Sequence, residues 1–278
     1  MNSDVDDSLV DPTRKSRSRS QTDVVVDGIK NMITSGALRA GSRLPIEKDL
    51  AHELGVSRGS LREAVRALCI IGVLETRQGD GTYVTSLEPS LLLAPVSFMV
   101  DLRAASDSSH LQSVRRVLET EAAGRAALTI DQDALAEAEA ILASVEPLVY
   151  ATGEPDYHAI MQADIAFHRV VARASANPAL EALIEALAPR TIQGRMWRAM
   201  NEEGAVHATH AEHRAILRSL SAHDPESSKL RMAIHLLAVQ DSMHNHPSDA
   251  TTSARDAAQY VPSGKPNSSS VDSSISAL

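Results

Sequence analysis

From Thr22 onward, apolar residues recur at helical spacing in three short runs, each closed by a glycine. Val25, Ile29, Met32 and Ile33 form the first stripe, which Gly36 ends. Residues three and four apart share a helix face, so the stripe predicts an amphipathic helix. Pro45 precedes a second run through Leu50, Ala51 and Leu54, stopped at Gly55. Ser57 can cap a third, with Leu61, Ala64, Val65 and Leu68 as its buried side and Gly72 at its end. The period then changes. Two β-branched runs, Val73 to Arg77 and Thr82 to Thr85, flank Gln78-Gly79-Asp80-Gly81, which predicts a hairpin.

Beyond Pro89 the pattern is helical almost throughout, with helices expected near 88–103, 109–128, 131–151, 156–175, 177–200, 207–222 and 224–244. Residues 1–21 and 247–278 are polar and aperiodic, and read as a disordered arm and tail. The expected fold is mainly α: a winged helix-turn-helix over 22–86, a linking helix and connection over 87–108, and an all-α antiparallel bundle over 109–246. Aromatics make up only 3% of the chain while Ala and Leu abound after residue 110, a composition that suits helices. The single cysteine, Cys69, excludes an internal disulfide and reads as a small core residue. No apolar run reaches membrane-spanning length, so a cytoplasmic protein is expected, with no membrane partner.

The net charge of −9 hides an asymmetry. Residues 13–86 hold 12 Lys and Arg against 8 Asp and Glu, whereas residues 87–278 hold 15 against 24. A basic head on an acidic body lets one end approach a polyanion.

The head has the layout to use that charge. A helix entering the major groove of double-stranded DNA presents its N-terminal turn, and Arg58 and Arg62 lie four apart there, opposite Leu61, Val65 and Leu68. The arginine fork matches the two acceptors of guanine. Ser57 and Ser60 are short donors suited to phosphate, and Gln78 and Gly79 stand at the wing tip. Arg66 reads as a solvated or Glu-paired side chain. Arg43-Leu44-Pro45-Ile46-Glu47-Lys48-Asp49-Leu50-Ala51, Leu54-Gly55-Val56-Ser57-Arg58, Leu61-Arg62-Glu63-Ala64 and Gly79-Asp80-Gly81-Thr82-Tyr83-Val84 resemble, in order, the motifs of the GntR family of regulators. The resemblance implies DNA contacts at Lys48, Arg58, Arg62, Gln78 and Gly79. Ile46 departs from it, because it offers no oxygen to cap the second helix.

In the body, Asp164 and His168 share one helix face by their spacing, and His213 and His235 stand in later helices. Three imidazoles and one carboxylate suit a divalent transition metal, although Asp-x-x-x-His is common by chance and the spacing alone leaves a structural polar cluster open. His207 and His210, at intervals of three before His213, are alternative ligands. His244 and His246 read as solvated. Arg195, Trp197 and Arg198 lie on a helix that could edge a pocket, or only pack.

Residues 110–245 resemble the FCD ligand-binding domain of the FadR-type branch of that family. The resemblance rests on Val114-Arg115-Arg116-Val117-Leu118-Glu119, on Asp164, Phe167, His168 and Asn177, and on Glu212-His213 and His235. It implies Asp164, His168, His213 and His235 as ligands to zinc (nickel or manganese being possible), with Arg115 as a clamp for an effector carboxylate. The function expected is a homodimeric, non-enzymatic regulator, a repressor of a pseudo-palindromic operator, modulated by a small organic or sugar acid. Two other readings stay open: a metal-dependent enzyme fused to a DNA-binding head, or a body that only dimerises.

Overall fold

The computed structural model describes residues 19–101, 108–153 and 155–245. They form two compact units, divided between Met99 and Val100. Of the arm expected over 1–21 only residues 19–21 are described, and the tail expected over 247–278 lies outside the described residues, as does His246.

The N-terminal unit contains α1 (Gln21–Thr34), α2 (Glu47–Glu53), α3 (Arg58–Ile70), β1 (Leu74–Arg77), β2 (Gly81–Val84) and the start of α4 (Pro89–Asp101). A capping box opens α1: the Ser20 hydroxyl accepts from the Asp23 amide and the Asp23 carboxylate accepts from the Ser20 amide. The stripes read from the sequence meet in one core, where Val25, Ile29, Leu50, Leu61, Ala64, Leu68, Leu74 and Val84 are buried. Ile46 precedes α2 without a side-chain cap, and Glu47 and Asp49 supply negative charge to its first turn.

β1 and β2 pair antiparallel from Leu74↔Val84 to Arg77↔Gly81. The second strand starts at Gly81, one residue earlier than the β-branched run suggests. It ends at Val84, because the Thr85 hydroxyl turns back to the Gly72 carbonyl at 2.7 Å. Gly72 ends α3 with a φ of 75°, and a Cβ there would stand 2.6 Å from the backbone oxygen of Leu91. Only glycine fits both demands.

The C-terminal unit is a bundle of α5 (Ser108–Thr129), α6 (Gln132–Val149), α7 (Tyr157–Ala174), α8 (Pro178–Asn201), α9 (Ala205–Ser221) and α10 (Pro225–Asn245). Asp131, Asp156 and Asn177 cap α6, α7 and α8 through their side chains. Alanines 122, 123, 126 and 127 give α5 a buried face of small side chains, which lets its neighbours approach closely. Leu142, Phe167, Ile216, Leu220, Met232 and Leu236 fill the space between helices. α9 starts at Ala205, two residues before the expected position, because Gly204 takes the left-handed turn (φ 76°) that precedes it. No helix among the described residues is long and apolar enough to cross a membrane.

Candidate DNA-contacting face and candidate metal centre

At the N-terminus of α3, Ser57 accepts the Ser60 amide at 3.1 Å and lies 3.0 Å from the Ser60 hydroxyl. Gln21 joins them, its side-chain oxygen accepting from the Ser57 amide at 3.2 Å and the Ser60 hydroxyl at 3.1 Å. Both serines are thus engaged in shaping the helix start, a contribution of Gln21 that local pattern could not announce. Arg58 is exposed and in no salt bridge among the described residues. Its positive charge opposes the helix dipole, a cost that an approaching phosphate or base would remove. Arg62 is also exposed but bonded to Glu47 through Nε at 2.9 Å and its terminal nitrogen at 2.8 Å.

Lys48, Gln78 and Gly79 are exposed. Gly79 occupies the turn with a φ of 75° and open space on its Cβ side. Two arginines brace this wing. Arg43 donates to the Asp80 carbonyl, and Arg77 lies 4.1 Å above the Tyr83 ring. Arg43, Arg62, Arg66, Arg77 and Gln78 line one concave surface between the helices and the wing. The side of the head that carries α3 and the wing is therefore cationic.

In the body, α7, α9 and α10 bring Asp164, His168, His213 and His235 together, all buried, with potential ligand atoms within 4.8 Å of one another. His235 Nε2 is 3.2 Å from His168 Nε2 and 3.3 Å from His213 Nε2. Asp164 Oδ1 stands 3.6 Å from His213 Nε2 and 4.0 Å from His168 Nε2. Two further carboxylates set the tautomers. His168 Nδ1 meets Glu119, and His235 Nδ1 meets Glu212 at 2.7 Å. Each Nδ1 carries the proton it donates, so the opposing Nε2 atoms carry lone pairs that face one another. Lone pairs so placed repel unless a cation lies between them. Tetrahedral zinc with bonds of about 2.0–2.1 Å would separate its nitrogens by about 3.3 Å, close to the spacing seen. The donor set fits a divalent ion.

Burial explains the electrostatics. It pushes the three imidazoles below their ordinary value, His235 to about 4 and His213 well down, the latter also under the influence of its histidine neighbours. Burial alone would raise the Glu119 carboxyl, but Arg115 and His168 outweigh it and hold the group ionised. Phe167 packs against His213 with its ring tilted by 35° and the centroids 4.8 Å apart, which restrains the imidazole.

These shifts give the metal-free protein a pH dependence. Below pH 6.5 the unfolded chain binds protons that the folded chain refuses, so stability is present above that value and lost as the pH falls towards about 4. The loss attributable to His235 is on the order of 3 kcal/mol. Thermal midpoints of the chelated protein should therefore decline across this window; a flat profile would contradict neutral buried imidazoles.

Arg115 does not border the adjoining cavity. It is 1% exposed and turned to Glu119 one helical turn on, with Thr191 at 3.5 Å, since a buried guanidinium needs an internal anion. Among the described residues, the arginines that line the cavity are Arg195 and Arg198. Arg195 donates to Asp164, and Arg198 to Glu202 at 3.2 Å and Thr209 at 3.3 Å. Sequence pattern did not single out Glu119 and Glu212, whose histidine partners lie 49 and 23 positions away.

Residues 21–84 match the bacterial regulatory proteins of the gntR family, and residues 110–238 match the FCD domain. The chain is 30% identical over 224 residues to the Exu regulon transcriptional regulator of Escherichia coli, covering 80% of this chain and 83% of that protein. It is 29% identical over 220 residues to the HTH-type transcriptional regulator LutR of Bacillus subtilis, covering 77% and 97% of the two. Among solved structures it is similar to a GntR protein of Streptococcus agalactiae, with a TM-score of 0.54 and 26% identity over 79% of this chain and 99% of that one. These relatives are regulators, which removes the enzyme reading. A winged helix-turn-helix followed by an FCD bundle, matched along most of its length by such proteins, places the chain in the GntR family of bacterial transcriptional regulators.

Proposed function

We propose that the protein is a repressor whose grip on its operator is modulated by a small carboxylate bound beside a divalent metal in the FCD bundle. The observation that carries this reading is the convergence of three imidazole nitrogens and one carboxylate oxygen beside a cavity, with Asp164, His213 and His235 on its wall together with Arg195 and Arg198. Asp164, His168, His213 and His235 would hold the ion, with zinc favoured by the nitrogen-rich donor set and nickel or manganese as alternatives. When bound, such an ion supplies a positive charge to which a carboxylate can bind. Glu119 and Glu212 fix the rings that hold it, and Arg195 stands ready to share its hydrogen bonds between Asp164 and an incoming anion.

On the DNA side, Arg58 and Arg62 would read base edges, while Lys48, Ser57, Ser60, Gln78 and Gly79 would approach the backbone and the neighbouring groove. Two heads in a homodimer match a pseudo-palindrome. The dimer contact we favour is the apolar row of Val114 and Val117 on α5 with Leu230, Ile234 and Leu237 on α10, exposed on two helices that pack together. Replacing Ile234 by Glu should yield monomers by light scattering and weaken operator binding; an unchanged dimer would place the contact elsewhere. An acid that binds one arrangement of the dimer better shifts the balance between DNA-bound and free protein.

The test is a gel shift on duplexes from upstream of the gene, using tag-free protein, with carboxylic acids added in the presence and absence of chelator. Release by an acid that requires metal is expected. Binding indifferent to every acid would leave the body as a dimerisation module alone.

A further inference from the structure

Among the described residues, the cavity beside the imidazole cluster is lined by one polar side chain that belongs neither to the four candidate ligands nor to the arginines and their hydrogen-bond partners. His210 lies on α9 one turn before His213, is 5% exposed, and keeps its Nε2 buried without a hydrogen-bond partner among the described residues. Its ring is held edge-on by Tyr150, the centroids 6.0 Å apart. It lines the same cavity as Asp164, Arg195, His213 and His235. An unmet buried nitrogen costs free energy, and a ligand atom is what would recover it. Much of the remaining wall is apolar, formed by Leu142, Val145, Val149, Ile160, Val206 and Val239. The open space inside is small, about 40 Å³.

We propose that His210 anchors the far end of the effector by a single hydrogen bond, so that the pocket selects a short carboxylic acid with an apolar chain and one hydroxyl or carbonyl oxygen over a polyhydroxylated sugar acid. This rests on the carboxylate reading above and narrows it. Residues three apart on a helix stand about 5–6 Å from one another, so an acid held at the His213 end reaches His210 within a few carbons. Burial keeps the ring below its ordinary pKa against the pull of Glu146 and with the help of Arg214, and a neutral imidazole can donate to a carbonyl or accept from a hydroxyl. The many hydroxyls of a sugar acid would instead lie against valine and leucine with no partner, which is how such pockets reject polar ligands.

The experiment is calorimetric titration of the full-length, zinc-loaded protein with butyrate, the 2-, 3- and 4-hydroxybutyrates, and D-glucuronate. The best hydroxybutyrate should bind about five- to tenfold more tightly than butyrate, and glucuronate more weakly than either. In His210→Leu this hydroxyl advantage should vanish while butyrate affinity and zinc content persist, and His210→Gln, which can still donate and accept, should restore part of it. An advantage surviving in His210→Leu, or glucuronate binding tightest, overturns the proposal and leaves the carboxylate reading standing. If no acid binds the unaltered protein, the carboxylate reading itself fails and this inference falls with it.

Discussion

The His213→Ala protein is expected to leave purification without metal, and to lose every response of its operator binding to carboxylates. His213 Nε2 lies 3.3 Å from His235 Nε2 and 3.6 Å from Asp164, so its removal opens one whole side of the cluster. Losing a group that merely orients a ligand costs roughly 10- to 100-fold in metal affinity, and losing a ligand costs more. The fold should survive, because the deletion removes a fully buried imidazole whose desolvation the folded protein otherwise bears. The decisive comparison is therefore the rise in thermal midpoint on adding zinc. It should be large in the parent protein and absent in the variant, since an ion stabilises only the state that binds it. Metal content by mass spectrometry equal to that of the parent would refute the assignment.

Arg58→Ala is expected to abolish sequence-specific binding and leave the thermal midpoint unchanged or slightly higher. A bidentate arginine–guanine contact is worth about 1–3 kcal/mol of discrimination in each half-site, and a dimer loses it twice. The native head gives up little, because Arg58 is exposed, in no salt bridge among the described residues, and placed at the unfavourable end of the helix dipole. Weak, salt-sensitive association with any duplex should persist through the remaining cations. Specific binding retained in this variant would move recognition to other side chains, Arg62 first among them.

Much of the head was legible in order along the chain, because its helices are punctuated by Gly36, Gly55 and Gly72 and its stripes have one period. The body was legible as helices for the same reason. What pattern could not convey was facing. Arg115 and Arg195 both lie on helices that pack into the site, yet only Arg195 reaches the cavity, because Glu119 stands one turn beyond Arg115 and captures it. That i, i+4 pairing was present in the sequence as a clue. The pairing of His168 with Glu119 and of His235 with Glu212 was not, since α5, α7, α9 and α10 must first pack for those residues to meet. Asp164 and His168 came from their own spacing, His213 and His235 from standing in later helices, and the resemblance to an FCD domain joined the four into one ligand set.

At Gly72 the end of α3 and the first turn of α4 meet with no side chain between them, the Leu91 carbonyl standing where a methyl group would be. Two main chains in such contact have no rotamers with which to absorb a displacement. A pull along the chain leaving the head would thus be felt at α3 with little slack, and a bulkier residue at 72 would sever that linkage while it strained the turn.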